Sequence, residues 1–468
     1  MKKIKRSNGP VIDTFAEAEA SCFLTSLLDE SDSLYVKKLS VNDRDWARRP
    51  NKHQGGIYVP PAERDGGFFP PLVTKVRKKA DAAVIREAYF EIEWPAVGEP
   101  KRARLVNYTS KGVETHLTGL PKPPFRDASP ASLLVLGRSG KRYKALIVDS
   151  ESDEYDVVHD ILSLPPDFRS GIFITTEVRR EREEKTVSFI EEVVRAFRDG
   201  SFPELASRYG TMPTTSELAA AARNRYLDEN GLRSLDPYAM GNPGDALWAI
   251  SRGLEYEIFK DYQIKARSID LARMILGDDP AKASLERVLR AVVLDFPKID
   301  ALLLSAAQQR KSRAGYSFEH HIEAMLADGG IPFEKQVVLE AKKRPDFILP
   351  SRTIYESSTR QHCEALVLSA KTTLRERWKQ VKGEMRDCDL YLATLDESIA
   401  VNAIKDMASQ GIHLVVPESL KNSDTTEYKT QGSVLSFKDF FERDIVERRK
   451  LWISSGIVAV GLQSKVNL

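Results

Sequence analysis

The chain has 468 residues, more than one hydrophobic core usually fills, so two domains with one boundary between them are expected. Hydrophobic residues make up 42% and charged residues 29%, which excludes a disordered or collagen-like polymer and implies a folded globular protein. A net charge of +2, from 70 basic and 68 acidic residues, neither requires nor excludes nucleic acid, because charge segregated into patches would still bind it.

No run approaches eighteen apolar residues, and Met1-Lys2-Lys3-Ile4-Lys5-Arg6 is followed by polar sequence rather than the apolar stretch of a signal peptide. A cytoplasmic location is the expectation. Cys22, Cys363 and Cys388 are too few and too irregularly spaced for a disulfide framework or a zinc site, and are expected to be buried or inert thiols.

In chain order, residues 34–42 and 56–60 read as strands separated by a polar loop rich in Arg, Asn and Pro. Further short strands are expected at 87–93, 103–108, 132–137, 143–149 and 171–176, a pattern that suggests a barrel or sandwich. After the charged run from Arg179 to Lys185, Val187, Ile190, Val194 and Phe197 recur at helical spacing until Gly200, which marks a helical connector over 181–213 between an N-terminal domain, 1–180, and a C-terminal domain, 214–468. Thr214-Thr215-Ser216-Glu217 has capping-box spacing and opens an Ala-rich helix. From Ser317 the elements alternate: a helix to Leu326, then strands near 333–339, 345–349 and 365–371. A helix at 373–386, a strand at 390–394, a helix near 398–409 and a strand at 412–416 complete an α/β sheet.

Arg344-Pro345-Asp346-Phe347-Ile348-Leu349 places a carboxylate at the start of an apolar strand, and Leu366-Val367-Leu368-Ser369-Ala370-Lys371 ends a second strand on a lysine. This is the skeleton of the PD-(D/E)XK nuclease motif. Phosphodiester hydrolysis calls for a divalent metal to neutralise the transition-state charge and acidify a water, with a cation to orient that water. Asp346 would hold the metal and Lys371 would position the water. The second acidic position, two residues before the lysine, is Ser369, a poor metal ligand, so another carboxylate must substitute. Arg377, Val381 and Glu384 follow i, i+4, i+7 spacing on the next helix, and Glu384 is the expected replacement. The bland alternative makes Asp346 a strand-end turn residue and Lys371 a solvated strand terminus.

Arg375-Glu376-Arg377 follows the lysine directly. Arginine pairs bidentately with O6 and N7 of guanine and a carboxylate accepts from N4 of cytosine, so this triplet in a major groove would read adjacent G·C pairs. A CC/GG step is the implied target, against the alternative of a solvated helix start.

Together with Arg310-Lys311-Ser312-Arg313-Ala314-Gly315-Tyr316-Ser317-Phe318-Glu319, these segments and Gly411-Ile412-His413-Leu414-Val415-Val416-Pro417 resemble the catalytic half of EcoRII-type (type IIE) restriction endonucleases. The N-terminal segments from Tyr35 to Asp43 and from His53 to Pro60 are similar to that family's effector domain. The resemblance implies a β-rich N-terminal pseudobarrel plus an α/β restriction-endonuclease-like domain with a central mixed sheet. It implies a Mg²⁺-dependent homodimer that cuts double-stranded DNA at a near-palindromic, CCWGG-like site, with a cognate DNA methyltransferase in the same system. It adds Glu319 and Tyr355 to the catalytic set and assigns effector-site contacts to His53, Tyr58, Lys101, Arg102 and Arg104, with Glu99 nearby. Autoinhibition of the nuclease cleft by the N-terminal domain is implied too, with Arg252 at the matching position. The chain departs from the family at 179–212, in a longer loop at 43–52 and after about residue 440. Two other readings share these features: a non-catalytic, sequence-specific DNA-binding regulator, and a nuclease of repair or of modified DNA built on the same fold.

Overall fold

A computed structural model of the chain describes residues 23–49, 55–75, 84–95, 97–109, 112–277, 284–338, 344–374 and 378–458. The backbone divides into two compact units, Met1–Arg182 and Glu183–Leu468.

The first unit carries strands β1 (Ser33–Lys38), β2 (Ile57–Val59), β3 (Val73–Lys75), β4 (Ile85–Glu93), β5 (Lys101–Tyr108), β6 (Thr115–Thr118), β7 (Leu133–Ser139), β8 (Arg142–Val148) and β9 (Ser170–Ile174). They form one sheet in the order β2-β6-β5-β4-β8-β7-β1-β9, with β3 paired to β4. Ile57 of β2 and Tyr35 of β1, far apart in that order, share one apolar cluster with Ile92, Leu105, Leu117 and Leu136, so the sheet rolls around a single core. On the other face Val36 and Val135 pack against Val158 and Leu162 of the helix Asp153–Leu162. β1 is therefore buried on both faces, which explains why its sequence lacks polar alternation.

The first strand ends at Lys38 rather than running to Asn42, because Ser40 caps a helix, Val41–Arg48. The Asp43 N–H donates to Ser40 Oγ at 3.1 Å, and the Ser40 N–H donates to the Asp43 carboxylate at 3.0 Å, a reciprocal capping box. β3 and β6 escaped the sequence reading: all three residues of β3 are exposed, and β6 is the short polar stretch Thr-His-Leu-Thr.

Immediately after β9 a 25-residue helix, Thr175–Asp199, begins. From Glu183 on it belongs to the second unit, where Phe189 and Ala196 are buried with Phe202, Leu205 and Ile269, and Phe197 stacks on Phe202 at 4.0 Å between ring centroids. Farther along the second unit Thr214 caps another helix: the Glu217 N–H donates to the threonine hydroxyl at 3.2 Å and the Thr214 N–H to the Glu217 carboxylate at 2.8 Å. The capped helix, Thr215–Asn230, ends at Gly231 in the left-handed conformation (φ +63°), where a side chain would be strained.

The second sheet runs β10 (Glu334–Lys335), β11 (Phe347–Leu349), β12 (Leu366–Lys371), β13 (Asp389–Thr394), β14 (Ile412–Val416) and β15 (Val434–Ser436), in that spatial order. β10, β11 and β12 pair antiparallel and β12 to β15 parallel, which makes a mixed sheet flanked by helices. The long helix Phe296–Asp328 sends Phe318, Ile322 and Met325 into its core. Phe440, Phe441, Ile445 and Trp452 join the same core, so the residues after 440 complete this unit.

Two expected elements are shorter than the apolar pattern suggests. The strand near 333–339 shrinks to Glu334–Lys335, because Gln336 turns through φ +51°. The helix expected over 373–386 is one turn, Trp378–Val381, followed by a 3-10 turn, Lys382–Glu384, with Leu374, Trp378 and Val381 as buried anchors. Gly383 favours that tightening, since glycine gains least from a helix interior. Cys388 is buried and Cys363 exposed. Among the described residues no helix is long and apolar enough to cross a membrane.

Candidate active site

β11 and β12 run antiparallel with Phe347 opposite Leu368, which brings Asp346, just before β11, to the end of β12. The Asp346 carboxylate is mostly buried, and its Oδ2 accepts the Ala370 N–H at 2.8 Å and the Lys371 ammonium at 2.7 Å. A backbone donor and a cation on one oxygen fix the orientation of the acid.

One residue earlier on β12, Ser369 is fully buried and donates its hydroxyl to Glu384 Oε2 at 2.9 Å. The 3-10 turn thus brings the Glu384 carboxylate beside position 369, although no continuous helix carries it there. That turn is held from behind. The Tyr355 hydroxyl donates to the backbone carbonyl of Glu384 at 2.8 Å, and burial pushes the phenol up to about 12, so it remains a neutral donor.

Glu319 approaches from the long helix. It is buried, and Gln336 Nε2 donates to its Oε2 at 2.8 Å. Burial raises the Glu319 carboxyl above its usual range and the Asp346 charge adds to this, against the opposing pull of the Gln336 hydrogen bond and of Lys371 and Lys335. Gln336 is a residue that the sequence did not single out. Its N–H donates to the Asp346 carbonyl at 2.9 Å and its Oε1 accepts from Arg344 at 2.6 Å, so it ties the segment before Asp346 to Glu319. Its only sequence signal is its place between two strands.

Glu319, Asp346, Tyr355, Lys371 and Glu384 therefore gather around the end of β12. Among the described residues no three acidic, histidine or cysteine side chains are already arranged around one metal position. Arg375, Glu376 and Arg377 lie outside the described residues. The loop that leads to them is anchored: the Leu374 N–H donates to Asp396 at 2.6 Å, and Asp396 also accepts from the Ser398 N–H and hydroxyl.

In the first unit His53 also lies outside the described residues. Strand register puts Tyr58, Arg102 and Arg104 on the outer face, away from the core that holds Ile57, Ala103 and Leu105. His116, opposite Tyr58, shares this face, and its ring meets that of Tyr58 edge-on at 6.0 Å. Arg102 lies over the Tyr89 ring at 4.5 Å, and Arg104 donates to Glu87 at 2.8 Å. Lys101 alternates onto the opposite side of β5, and Glu99 is exposed in the turn before it. Arg252 is exposed on a π-helical turn, Ala249–Leu254.

Residues 281–441 match the family described as EcoRII C terminal. The chain is similar to the type II restriction enzyme SsoII of Shigella sonnei, 29% identical over 225 residues, which are 46% of this chain and 72% of that enzyme. It is also 30% identical over 210 residues to the type II restriction enzyme EcoRII of Escherichia coli, 44% of this chain and 45% of that one, so the match spans less than half of that relative's length. Among solved structures, metal-depleted Ecl18kI in complex with uncleaved, modified DNA covers 54% of this chain and 85% of its own at 27% identity and a TM-score of 0.44. The PspGI–substrate DNA complex covers 51% and 94% at 22% identity and a TM-score of 0.37. Asp346, Lys371 and Glu384 all stand inside the matched stretch, so residues 281–441 form a domain of the EcoRII C-terminal family, and the relatives to which the chain is similar are type II restriction enzymes.

Proposed function

We propose that this chain hydrolyses one phosphodiester in each strand of duplex DNA at a short, near-palindromic site with a CC…GG core, CCWGG-like by resemblance. The observation that carries the reading is the pairing at the end of β12: Asp346 held by Ala370 and Lys371, and Glu384 held by Ser369.

The donor set fits Mg²⁺, which takes hard oxygen ligands and keeps several waters. Asp346 Oδ1 takes no hydrogen bond from any described residue. Asp346 and Glu384 would hold the ion, which when bound supplies charge neutralisation at the phosphate and a more acidic water. Lys371 spends one ammonium proton on Asp346 and has two more with which to orient a water or a phosphate oxygen. Glu319, whose carboxyl is raised above its usual range by burial and by the Asp346 charge, would take or return a proton at the site's edge, and Tyr355 keeps the Glu384 turn in place. Arg375, Glu376 and Arg377 would read the C·G steps from the major groove, each bidentate contact supplying roughly 1–3 kcal/mol of discrimination.

Cutting both strands of a near-palindrome calls for a two-fold dimer. In the first unit, as a pseudobarrel effector domain, Tyr58, Arg102 and Arg104, with Lys101 and His53, would bind a second copy of the site. That binding would relieve an autoinhibition to which Arg252 contributes. A DNA methyltransferase protecting the same sequence would accompany the enzyme, and a cytoplasmic location would suit both.

Digestion of unmethylated DNA with and without Mg²⁺, by the wild type and by Asp346→Ala, tests the proposal. Discrete metal-dependent ends at a CC…GG core, absent in the variant, are expected. Intact multi-site DNA that is nonetheless bound would make the chain a binding-only regulator.

A further inference from the structure

The residues from Met385 to Cys388 join the turn that carries Glu384 to the start of β13, and packing does little to hold them. Lys382, Gly383, Arg386 and Asp387 are exposed, Met385 is half-buried, and of the joining residues Cys388 alone is buried. The turn closes on a 3.2 Å bond from the Met385 N–H to the Lys382 carbonyl. Asp387 then reverses the chain through φ +43°, a left-handed conformation that residues other than glycine adopt at a cost. A stretch built in this way does not by itself keep a carboxylate at one position.

The hold comes from a single neighbouring segment, the helix Arg352–Glu356 and the residues just after it. Tyr355 already takes the Glu384 carbonyl. Arg360 takes two more: its Nη2 donates to the Arg386 carbonyl, and its Nη1 to the Asp387 carbonyl at 2.6 Å. Nη1 also reaches the Gln361 carbonyl at 3.3 Å. The Nε of the same guanidinium donates to the Tyr355 carbonyl at 3.0 Å, and its central carbon lies 5.9 Å from the centre of the Tyr355 ring. The two residues that grip the turn are therefore tied to one another. All of these acceptors are neutral carbonyls, and among the described residues no carboxylate pairs with Arg360. Converging carbonyls suit the planar fork of arginine, whose N–H donors point in fixed directions; a lysine ammonium does not span them. His362 of the same segment lies between the Asp387 and Asp389 carboxylates, 3.1 and 3.2 Å from its two ring nitrogens, and anchors the side chains at the reversal.

We infer that Arg360 is a positioning residue for Glu384: its guanidinium holds the carbonyls of residues 386 and 387 so that the acid arrives at Ser369. It acts through the backbone of the turn, not on the reacting atoms. The inference rests on the nuclease reading only for what Glu384 does once it is there.

Hydrogen–deuterium exchange of the full chain, free of DNA and metal, tests the hold independently of cleavage. In both Arg360→Ala and Arg360→Lys the amides of residues 382–388 should exchange roughly tenfold faster than in the wild type, while β12 and β13 keep their wild-type rates. Unchanged exchange in Arg360→Ala, or wild-type exchange in Arg360→Lys, overturns the inference. Acceleration throughout β12 and β13 overturns it too, since Arg360 would then support the fold at large. Cleavage supplies a readout that a merely structural role does not move. With Glu384 loosely placed, the Mg²⁺ concentration for half-maximal cleavage should rise roughly tenfold in Arg360→Ala, and the rate at saturating Mg²⁺ should stay within about threefold of the wild type. A lowered plateau at an unchanged half-saturation overturns the inference. A wild type that cleaves no DNA refutes the nuclease reading instead, and the exchange rates alone then decide whether Arg360 holds the turn.

Discussion

The migrated acid can be moved back. Glu384→Ala removes the carboxylate that Ser369 holds at 2.9 Å, and the turn that carries it should survive, because Tyr355 grips the peptide carbonyl of residue 384 rather than its side chain. If Glu384 holds the metal as proposed, losing a ligand worth several kcal/mol of transition-state stabilisation predicts a fall of about 10³-fold in strand cleavage, at 1.36 kcal/mol per decade. Ser369→Asp alone should destabilise the protein instead. It sets a second carboxylate about 4 Å from Glu384 at a fully buried position, and two like charges at that distance repel by about 4 kcal/mol at an effective dielectric constant of 20. The double variant Ser369→Asp/Glu384→Ala carries one acid again, now two residues before Lys371, and should regain both stability and at least tenfold of the lost rate. Urea unfolding and single-turnover cleavage of a multi-site duplex measure the whole cycle. Wild-type cleavage by Glu384→Ala, or additive effects in the double variant, would refute the reasoning.

Tyr355→Phe deletes one hydrogen bond to the Glu384 turn and should cost about 1 kcal/mol in unfolding, with a rate loss well short of that of Glu384→Ala; equal losses would make Tyr355 a direct participant. Glu319 has a folded pKa above the ordinary carboxylate value of 4.5, so in metal-free protein the folded state holds its proton more tightly. Its contribution to stability therefore declines as pH rises from about 4.5 through the raised value and is level beyond. Glu319→Gln should flatten that decline in melting experiments, and an unchanged pH profile would count against it. Glu255 is fully buried; it accepts from Arg313 at 2.5 Å, pairs with His321 at 2.6 Å and takes the Ser317 hydroxyl. Glu255→Gln leaves Arg313 buried without its counter-ion, and should cost roughly 3–5 kcal/mol in urea unfolding. A loss under 1 kcal/mol would mean that the cluster relaxes freely.

The parallel strands of the second sheet were readable because both faces are covered and apolar runs mark them without ambiguity. β12, β13 and β14 follow the expected limits to within a residue. β3 was invisible for the opposite reason: a three-residue edge strand with every side chain exposed leaves no hydrophobic signature, and only its pairing with β4 defines it. The helix Val41–Arg48 was hidden inside a strand reading, since Val41 continues an apolar alternation while Ser40 and Asp43, which end the strand, act through backbone hydrogen bonds.

The same contrast separates the parts of the candidate site. Asp346 and Lys371 announce themselves because each sits at the end of an apolar strand, where chemistry and fold coincide in the sequence. Glu384 was found through an absence, the serine at 369, with a helical spacing that proved to be the wrong local geometry: the acid reaches the site because a one-turn helix tightens into a 3-10 turn, not because it continues. Gln336 could be found by neither route. It works through a left-handed backbone turn and two amide contacts, and an amide with no charge and no periodicity leaves nothing in a sequence to count. What holds the acids apart and oriented in this site is thus largely neutral and local. Substitutions of Gln336 and Tyr355 should accordingly change how the carboxylates are placed without changing the charge that they bring.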